Sequence, residues 1–270
     1  MNPSAADTPR AERNLCRTLA VAIQFLTRVP MPGLSGITAD QYRELLRRAV
    51  IFFPIVGGLV GCWTAALFVG GLWIGFTPLV AALISLGAEA LLTGAFHEDA
   101  LADTCDALGG GWTRDQVLEI MKDSRLGTYG SVGLIIGVGT RAAAMAAIGA
   151  ANMMTAAIVI VAAASLGRAA IVLMMATTDP IQDRNSQAKD ISGSQTIKRA
   201  LTAALISLPF WIMWPVTLPV VAGCSLLASL LVLVWFRRKI IQRVGGTTGD
   251  LLGCSGFLIQ GVILVGASAQ

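Results

Sequence analysis

Seven apolar runs, at 50–72, 77–96, 131–150, 154–176, 200–214, 219–236 and 251–268, leave this chain few ways to fold. A helix that crosses a bilayer needs about 20 apolar residues. The pair at 200–214 and 219–236 is short, and Pro209, Pro215 and Pro219 kink or separate its members, so one of the two could be re-entrant. Only 13% of the residues are charged, against about 25% in a soluble domain, and the mean hydropathy is +0.71. The expectation is an all-α integral membrane protein with about seven transmembrane helices. It forms a single polytopic domain over residues 1–270, embedded in the lipid bilayer.

Charge gives the orientation. With seven spans, the N-terminus, 97–130, 177–199 and 237–250 fall on one side, and they hold 18 of the 20 Lys and Arg residues. The other two, Arg141 and Arg168, lie within spans. The short segments on the opposite side, and the C-terminal tail, carry no charge. The positive-inside rule puts the charged side, including the N-terminus and the polar loops, in the cytoplasm. A miscounted span would have thrown a charged loop to the wrong side.

The chain opens with a polar, Ala/Pro-rich stretch, 1–14, expected to be frayed and not to be a signal peptide, since the apolar run after Cys16 breaks at Arg28 and Pro30. Residues 15–27 suit a short interfacial helix. Residues 38–48 suit another, with Thr38 as N-cap. The five cysteines are scattered without a CxxC pair and read as reduced packing residues. The net charge of +4 comes without a basic-aromatic pattern, so nucleic acid is not an expected partner.

One polar island interrupts the apolar chain. Residues 96–130 hold seven of the 16 acids and the one histidine. Asp99, Asp103 and Asp106 stand at i, i+4 and i+7, on one helical face. Like charges at i,i+4 destabilise a helix, and a hard divalent cation such as Mg²⁺ would compensate while bridging to substrate phosphates. A solvated acidic face is the alternative. Lys122 and Arg125 suit phosphate oxygens, or serve only as positive-inside charge. Asp123 suits a fourth ligand or a base. His97 precedes the aspartates and points away from their face; it reads as general base, metal ligand, phosphate donor or structural hydrogen bonder. A second polar knot, Gly-Gly-Thr-Thr-Gly-Asp at 245–250, brings Asp250 to the same surface, with helix capping as the plainer reading. Glu89, Arg141 and Arg168 lie inside spans, about 10–15 Å below the surface at 1.5 Å per residue. That depth permits pairing, which buried charges need; reaching toward an anionic substrate is the other use.

These residues also carry a resemblance. The run His97-Glu-Asp-Ala-Leu-Ala-Asp-Thr-Cys-Asp-Ala, then Ile120-Met-Lys-Asp-Ser-Arg-Leu-Gly-Thr-Tyr-Gly and Thr248-Gly-Asp-Leu-Leu-Gly, resembles the cobalamin synthase family. Phe25-Leu-Thr-Arg-Val-Pro-Met-Pro and Phe53-Pro-Ile-Val-Gly-Gly-Leu-Val-Gly look like its opening segments, so the likeness covers nearly the whole chain. It implies a late step of vitamin B12 assembly, in which the 3′-hydroxyl of α-ribazole, or of its 5′-phosphate, attacks the cobinamide-side phosphorus of adenosylcobinamide-GDP and GMP leaves. Mg²⁺ on Asp99, Asp103 and Asp106 would bridge the pyrophosphate, and Lys122 and Arg125 would steady the phosphates. Asp123, His97 or Asp250 would take the proton. The partners implied are the corrinoid nucleotide and ribazole, with a homo-oligomer or an assembly with other corrinoid-pathway enzymes also open. The chain departs from the family at Ala100 and Ala107, where glycine is usual, and at Phe257 and Gln260, where the pattern has glutamates.

Two other readings compete. A CDP-alcohol phosphotransferase shares the logic of aspartates on membrane helices but has a longer spacing and a Gly-x-x-Ala-Arg element absent here. A divalent-metal transporter would use the acids as a vestibule, yet it should place polar groups deep in several spans. Here most charge sits at one surface.

Overall fold

The computed structural model describes residues 8–34, 36–181, 191, 193 and 195–269, with side chains from residue 15 onward. The N-terminal heptad, and residues 182–190 of the 177–199 segment, lie outside the described residues.

Helix follows apolarity along the chain. Thirteen α-helices can be numbered in order among the described residues: α1 (Thr8–Leu26), α2 (Ala39–Ala49), α3 (Phe53–Trp73), α4 (Pro78–Thr93), α5 (Phe96–Gly110), α6 (Arg114–Ile120), α7 (Thr128–Ala151), α8 (Met153–Thr177), α9 (Ile197–Ile206), α10 (Leu208–Trp211), α11 (Met213–Thr217), α12 (Pro219–Val244) and α13 (Gly249–Ser268). The β-structure among them is one isolated bridge, Pro180 to Thr247. α1 begins at Thr8, ahead of the expected start at 15. Thr38 caps α2 in a capping box with Gln41, as the sequence suggests.

α3, running on from α2 through a 3₁₀ turn, and α7, α8, α12 and α13 are each long and apolar enough to cross a membrane. The count reaches seven if two bent pairs are each taken as one span. One is α9 with α10–α11, bent by 61°. The break falls at Ser207 and Leu208, ahead of Pro209, whose ring and missing N–H oppose helix continuity. The other is α4 with α5, bent by 93°. α5 turns sharply off α4 at this bend. At 16 residues α4 is about 24 Å long, shorter than a ~30 Å hydrocarbon core.

Large apolar side chains that stay exposed, among them Leu91, Ile135, Ile136, Val220, Leu227 and Leu231, suit contact with lipid chains. The interior is filled with small residues and glycines, which bring helix backbones close. α3 lies on α8 so tightly that a Cβ at Gly57 or Gly61 would run into α8 backbone. α13 packs against α8, α5, α12 and α7, and so forms the central post of the bundle.

The charged loops gather at one end. Arg243 of α12 donates to the carbonyls of Leu108 and Gly111 at the end of α5. Arg114 donates to the Val244 carbonyl at the end of α12. Arg237 donates to the Thr177 carbonyl at the end of α8. Each guanidinium satisfies carbonyls that a helix leaves unpaired at its C-terminus. The described parts of 97–130, 177–199 and 237–250 therefore meet, as the alternation of spans requires.

Candidate active site at the charged end of the bundle

α5 is placed by a corner. Gly94 (φ 73°) and Ala95 (φ 57°) are both left-handed. Ala95 is the one non-glycine residue with positive φ among the described residues. An L-residue there costs on the order of 1 kcal/mol, so surrounding contacts must hold it. From this corner α5 runs unbroken through Phe96–Gly110, which puts Asp99, Asp103 and Asp106 on one face, as their spacing predicts.

The three aspartates have different surroundings. Asp99 is exposed, and Asp103 and Asp106 are partly buried. Burial, and then the negative charges of Asp99, Asp250 and Asp106, push the Asp103 carboxyl up to about 6. Asp250 reaches this group because α13 starts against α5: a Cβ on Gly253 would lie 2.7 Å from that of Ala100. The methyl of Ala100 is thus accommodated by a glycine on the partner helix. Thr248 caps α13 by accepting from the Leu251 N–H. The capping reading of the second knot holds for Thr248, and Asp250 remains beside the acids.

Asp106 does more than lie on the face. Its two carboxylate oxygens accept the backbone N–H groups of Gly127 (2.7 Å) and Gly130 (2.8 Å) at the start of α7. A carboxylate is favoured there by the unpaired N–H groups and the helix dipole. Neither glycine has a positive φ. They are small because any Cβ would strike the Asp106 carboxylate. Close approach is the reason for both glycines.

Lys122 and Arg125 are exposed beside this region. Arg125 forks onto Asp123 at 2.6–3.0 Å, and its own N–H adds a bond at 3.1 Å. These bonds hold the Asp123 carboxyl at about 2. His97 is sealed from solvent, roughly opposite the aspartates on α5. Neither ring nitrogen meets a partner among the described residues. Burial, then Arg168 and Arg141, hold its pKa well below the usual range, so the ring is neutral.

Beneath α5 lies a polar knot. Arg141 of α7 bridges Glu89 of α4 (2.9 Å) and Glu98 of α5 (3.2 Å). Its guanidinium also lies 4.9 Å from the centroid of the Phe257 ring. Thr64 of α3 donates to Glu89 at 2.8 Å. Arg168 of α8 donates to Gln260 of α13 (3.1 Å), and Gln260 donates onward to Glu89 (3.4 Å). The depth argument places Glu89 and Arg141 within reach of each other, and they pair. Glu98 was missed as a site member. Its signal was position: one residue before Asp99, it sits about 100° round the helix and faces inward.

Carboxylate oxygens, waters and substrate phosphates are what Mg²⁺ prefers, and the like charge that adds to burial in raising Asp103 is what a cation would relieve. Among the described residues, no three such side chains converge closely enough to ligate a metal unaided. The donor chemistry therefore fits an ion that keeps waters or substrate oxygens in its shell.

The sequence profile of the cobalamin-5-phosphate synthase family matches residues 18–268. A protein of Rhizobium etli (strain CIAT 652) named adenosylcobinamide-GDP ribazoletransferase is 40% identical over 243 residues, 87% of this chain and 90% of its own length. Proteins of the same name from Bradyrhizobium diazoefficiens and Ralstonia nicotianae are 36% and 34% identical, each covering 95% of its own length. No solved structure matches significantly.

Proposed function

The chain belongs to the cobalamin-5-phosphate synthase family, and we propose that its charged end carries the active site of a ribazoletransferase acting on adenosylcobinamide-GDP. The observation that carries the site assignment is that Asp250, at the start of α13, adds its negative charge to that of Asp99 and Asp106 on Asp103 of α5. Four carboxylates at the lip of a membrane bundle, with Lys122 and Arg125 beside them, suit a pyrophosphate that must be bound and split.

Asp99 and Asp103 would hold Mg²⁺ together with waters or substrate oxygens, and Asp106 would contribute from its place on the Gly127 and Gly130 N–H groups. When bound, the ion would neutralise charge building on the departing GMP. Lys122 gives a mobile point charge to a phosphate. Arg125 does so by exchanging the Asp123 carboxylate for a phosphate. The 3′-hydroxyl of α-ribazole, or of its 5′-phosphate, forms a bond to the cobinamide-side phosphorus as the bond to GMP breaks. Its proton passes to a carboxylate. Asp250, or Asp123 once Arg125 has turned to the phosphate, can take it, whereas His97 is sealed in. The positive end faces the cytoplasm of the inner membrane, where nucleotide substrates are found. All of residues 1–270 act as one membrane domain, alone, as a homo-oligomer, or with other corrinoid-pathway enzymes.

The test uses purified protein in lipid with adenosylcobinamide-GDP, α-ribazole and Mg²⁺. GMP release that depends on Mg²⁺ is expected. Folded protein giving no GMP above a protein-free control would defeat the reading. Metal flux into sealed vesicles without turnover would favour transport instead.

A further inference from the structure

The polar knot has a feature that packing alone does not explain. Arg141 is 2% exposed and holds two carboxylates at once, one on either side of the left-handed corner. Glu89 belongs to α4, Glu98 to the first turn of α5, and Gly94 and Ala95 lie between them. A buried guanidinium, the buried carboxylate of Glu89 and the partly buried one of Glu98 are expensive to bring out of water, and a well-packed apolar corner would cost less. What the ionic arrangement adds is geometry. A guanidinium is a rigid planar fork, so two carboxylates on its tines have a fixed separation. Phe257 under the fork and the Gln260–Glu89 bond tie the same group to α13, which brings Asp250.

The other end of α5 is held separately, by Asp106 on the α7 N–H groups and by Arg243 on the Leu108 and Gly111 carbonyls. Between these two anchors lie Asp99 and Asp103. The distal anchor fixes where α5 ends, and the Arg141 fork joins the residues on either side of the corner where it leaves α4.

We propose that Arg141, by clamping Glu89 and Glu98 across the α4–α5 corner, is a positioning residue that sets the direction of α5 and so aims Asp99 and Asp103. The link to turnover rests on the ribazoletransferase reading above; the mechanical part does not.

Glu98→Gln is the mild probe, because it keeps the Arg141–Glu89 pair and so a buried counter-charge. Backbone amide hydrogen exchange on lipid-embedded protein without divalent cation should quicken over residues 96–103. It should stay unchanged over 107–111, where the second anchor acts. Arg141→Lys keeps the charge but loses the fork, and should loosen the same segment. In turnover, both variants should need about tenfold more Mg²⁺ for half-maximal rate, the scale seen when groups supporting metal ligands are lost. Turnover at saturating Mg²⁺ should be retained. Exchange over 96–103 equal to the parent protein in both variants, or quickening spread evenly through α8 and α12, would overturn the clamp. Local loosening with an unmoved Mg²⁺ curve would overturn the aiming. If the parent protein releases no GMP at all, the function reading fails, and the exchange measurement still decides the clamp.

Discussion

Two arginine–carboxylate contacts lie within one site, and they differ in nearly everything except chemistry. Arg125 meets Asp123 at 2.6 Å with its side chain 88% exposed. Arg141 meets Glu89 at 2.9 Å with its side chain 3% exposed. The first joins residues two apart in sequence, and the second joins residues 52 apart. Water screens the exposed pair, so it has little influence on stability and can exchange its carboxylate for a ligand. The buried pair has no such freedom. Its charges are safe only while together, so it can fix helices in place. The same two functional groups thus serve exchange in one place and rigidity in the other.

The largest effect that could break this contrast comes from Arg141→Gln. It takes away the direct partner of Glu89 and Glu98 and leaves Arg168 as the remaining buried cation near them. Removing one partner of a buried pair costs about 3–5 kcal/mol. We expect a large loss of monodisperse protein on solubilisation and a sharply lower melting temperature. Near-normal melting would mean that water reaches the knot and that it is no more buried, electrically, than Asp123. A smaller effect is expected of Gln260→Leu, which removes the acceptor for Arg168 and one donor to Glu89 while keeping every charge. Leaving such buried groups unsatisfied costs about 1–3 kcal/mol, again read by thermal melting. A change as large as that of Arg141→Gln would show Gln260, and not the ion pair, to be the keystone.

How much of this contrast could be read from sequence follows from the range of the forces. The spans were legible because lipid imposes a length and a polarity on each of them separately. The face of Asp99, Asp103 and Asp106 was legible because helical spacing is local. Thr38 capping α2 was legible for the same reason. Glu98 on Arg141 was not, since it joins residues 43 apart and depends on a corner formed by Gly94 and Ala95. Nothing in the string Gly-Ala announces two left-handed residues. The purpose of Gly127 and Gly130 was equally hidden. A glycine signals freedom of backbone or closeness of a neighbour, and only the carboxylate of Asp106 lying against them decides which.

Asp103 stands between the two regimes, and its response sharpens the comparison. Its carboxyl is raised in the folded protein to about 6, by burial and by Asp99, Asp250 and Asp106. The folded state therefore holds a proton more readily than the unfolded chain does. By linkage, this group lowers stability as pH rises from about 4 through 6, and the cost persists above that. Asp103→Asn removes the ionisation. In chelator at pH 7 the variant should melt higher than the parent protein, and near pH 4 the two should converge. With Mg²⁺ and substrates, the variant should give no turnover, because a positioned oxygen anion has been lost. A variant that melts lower at pH 7 in chelator would show that the acids are not in conflict, which would remove the main argument for a cation among them.

The smallest structural effect is expected of Arg125→Ala, and its value lies in that smallness. Asp123 and Arg125 lie on the surface, so losing the guanidinium should leave the melting temperature unchanged. The Asp123 carboxyl should rise part of the way toward the ordinary carboxylate range, since the guanidinium bonds that help hold it near 2 are lost while the backbone N–H bond of residue 125 remains; the change is readable by titration of a labelled carboxyl. Turnover should nevertheless fall, through a higher KM for the corrinoid nucleotide, because a phosphate loses its fork. Added salt should weaken substrate binding by the parent protein more than by the variant, as expected when one exposed charge contact is removed. Stability untouched with binding weakened is the signature of an exchangeable pair, the reverse of what Arg141 should give. If Arg125→Ala instead lowers stability and leaves KM alone, Arg125 belongs with Arg141 as a structural group, and the phosphate must be held by Lys122 without it.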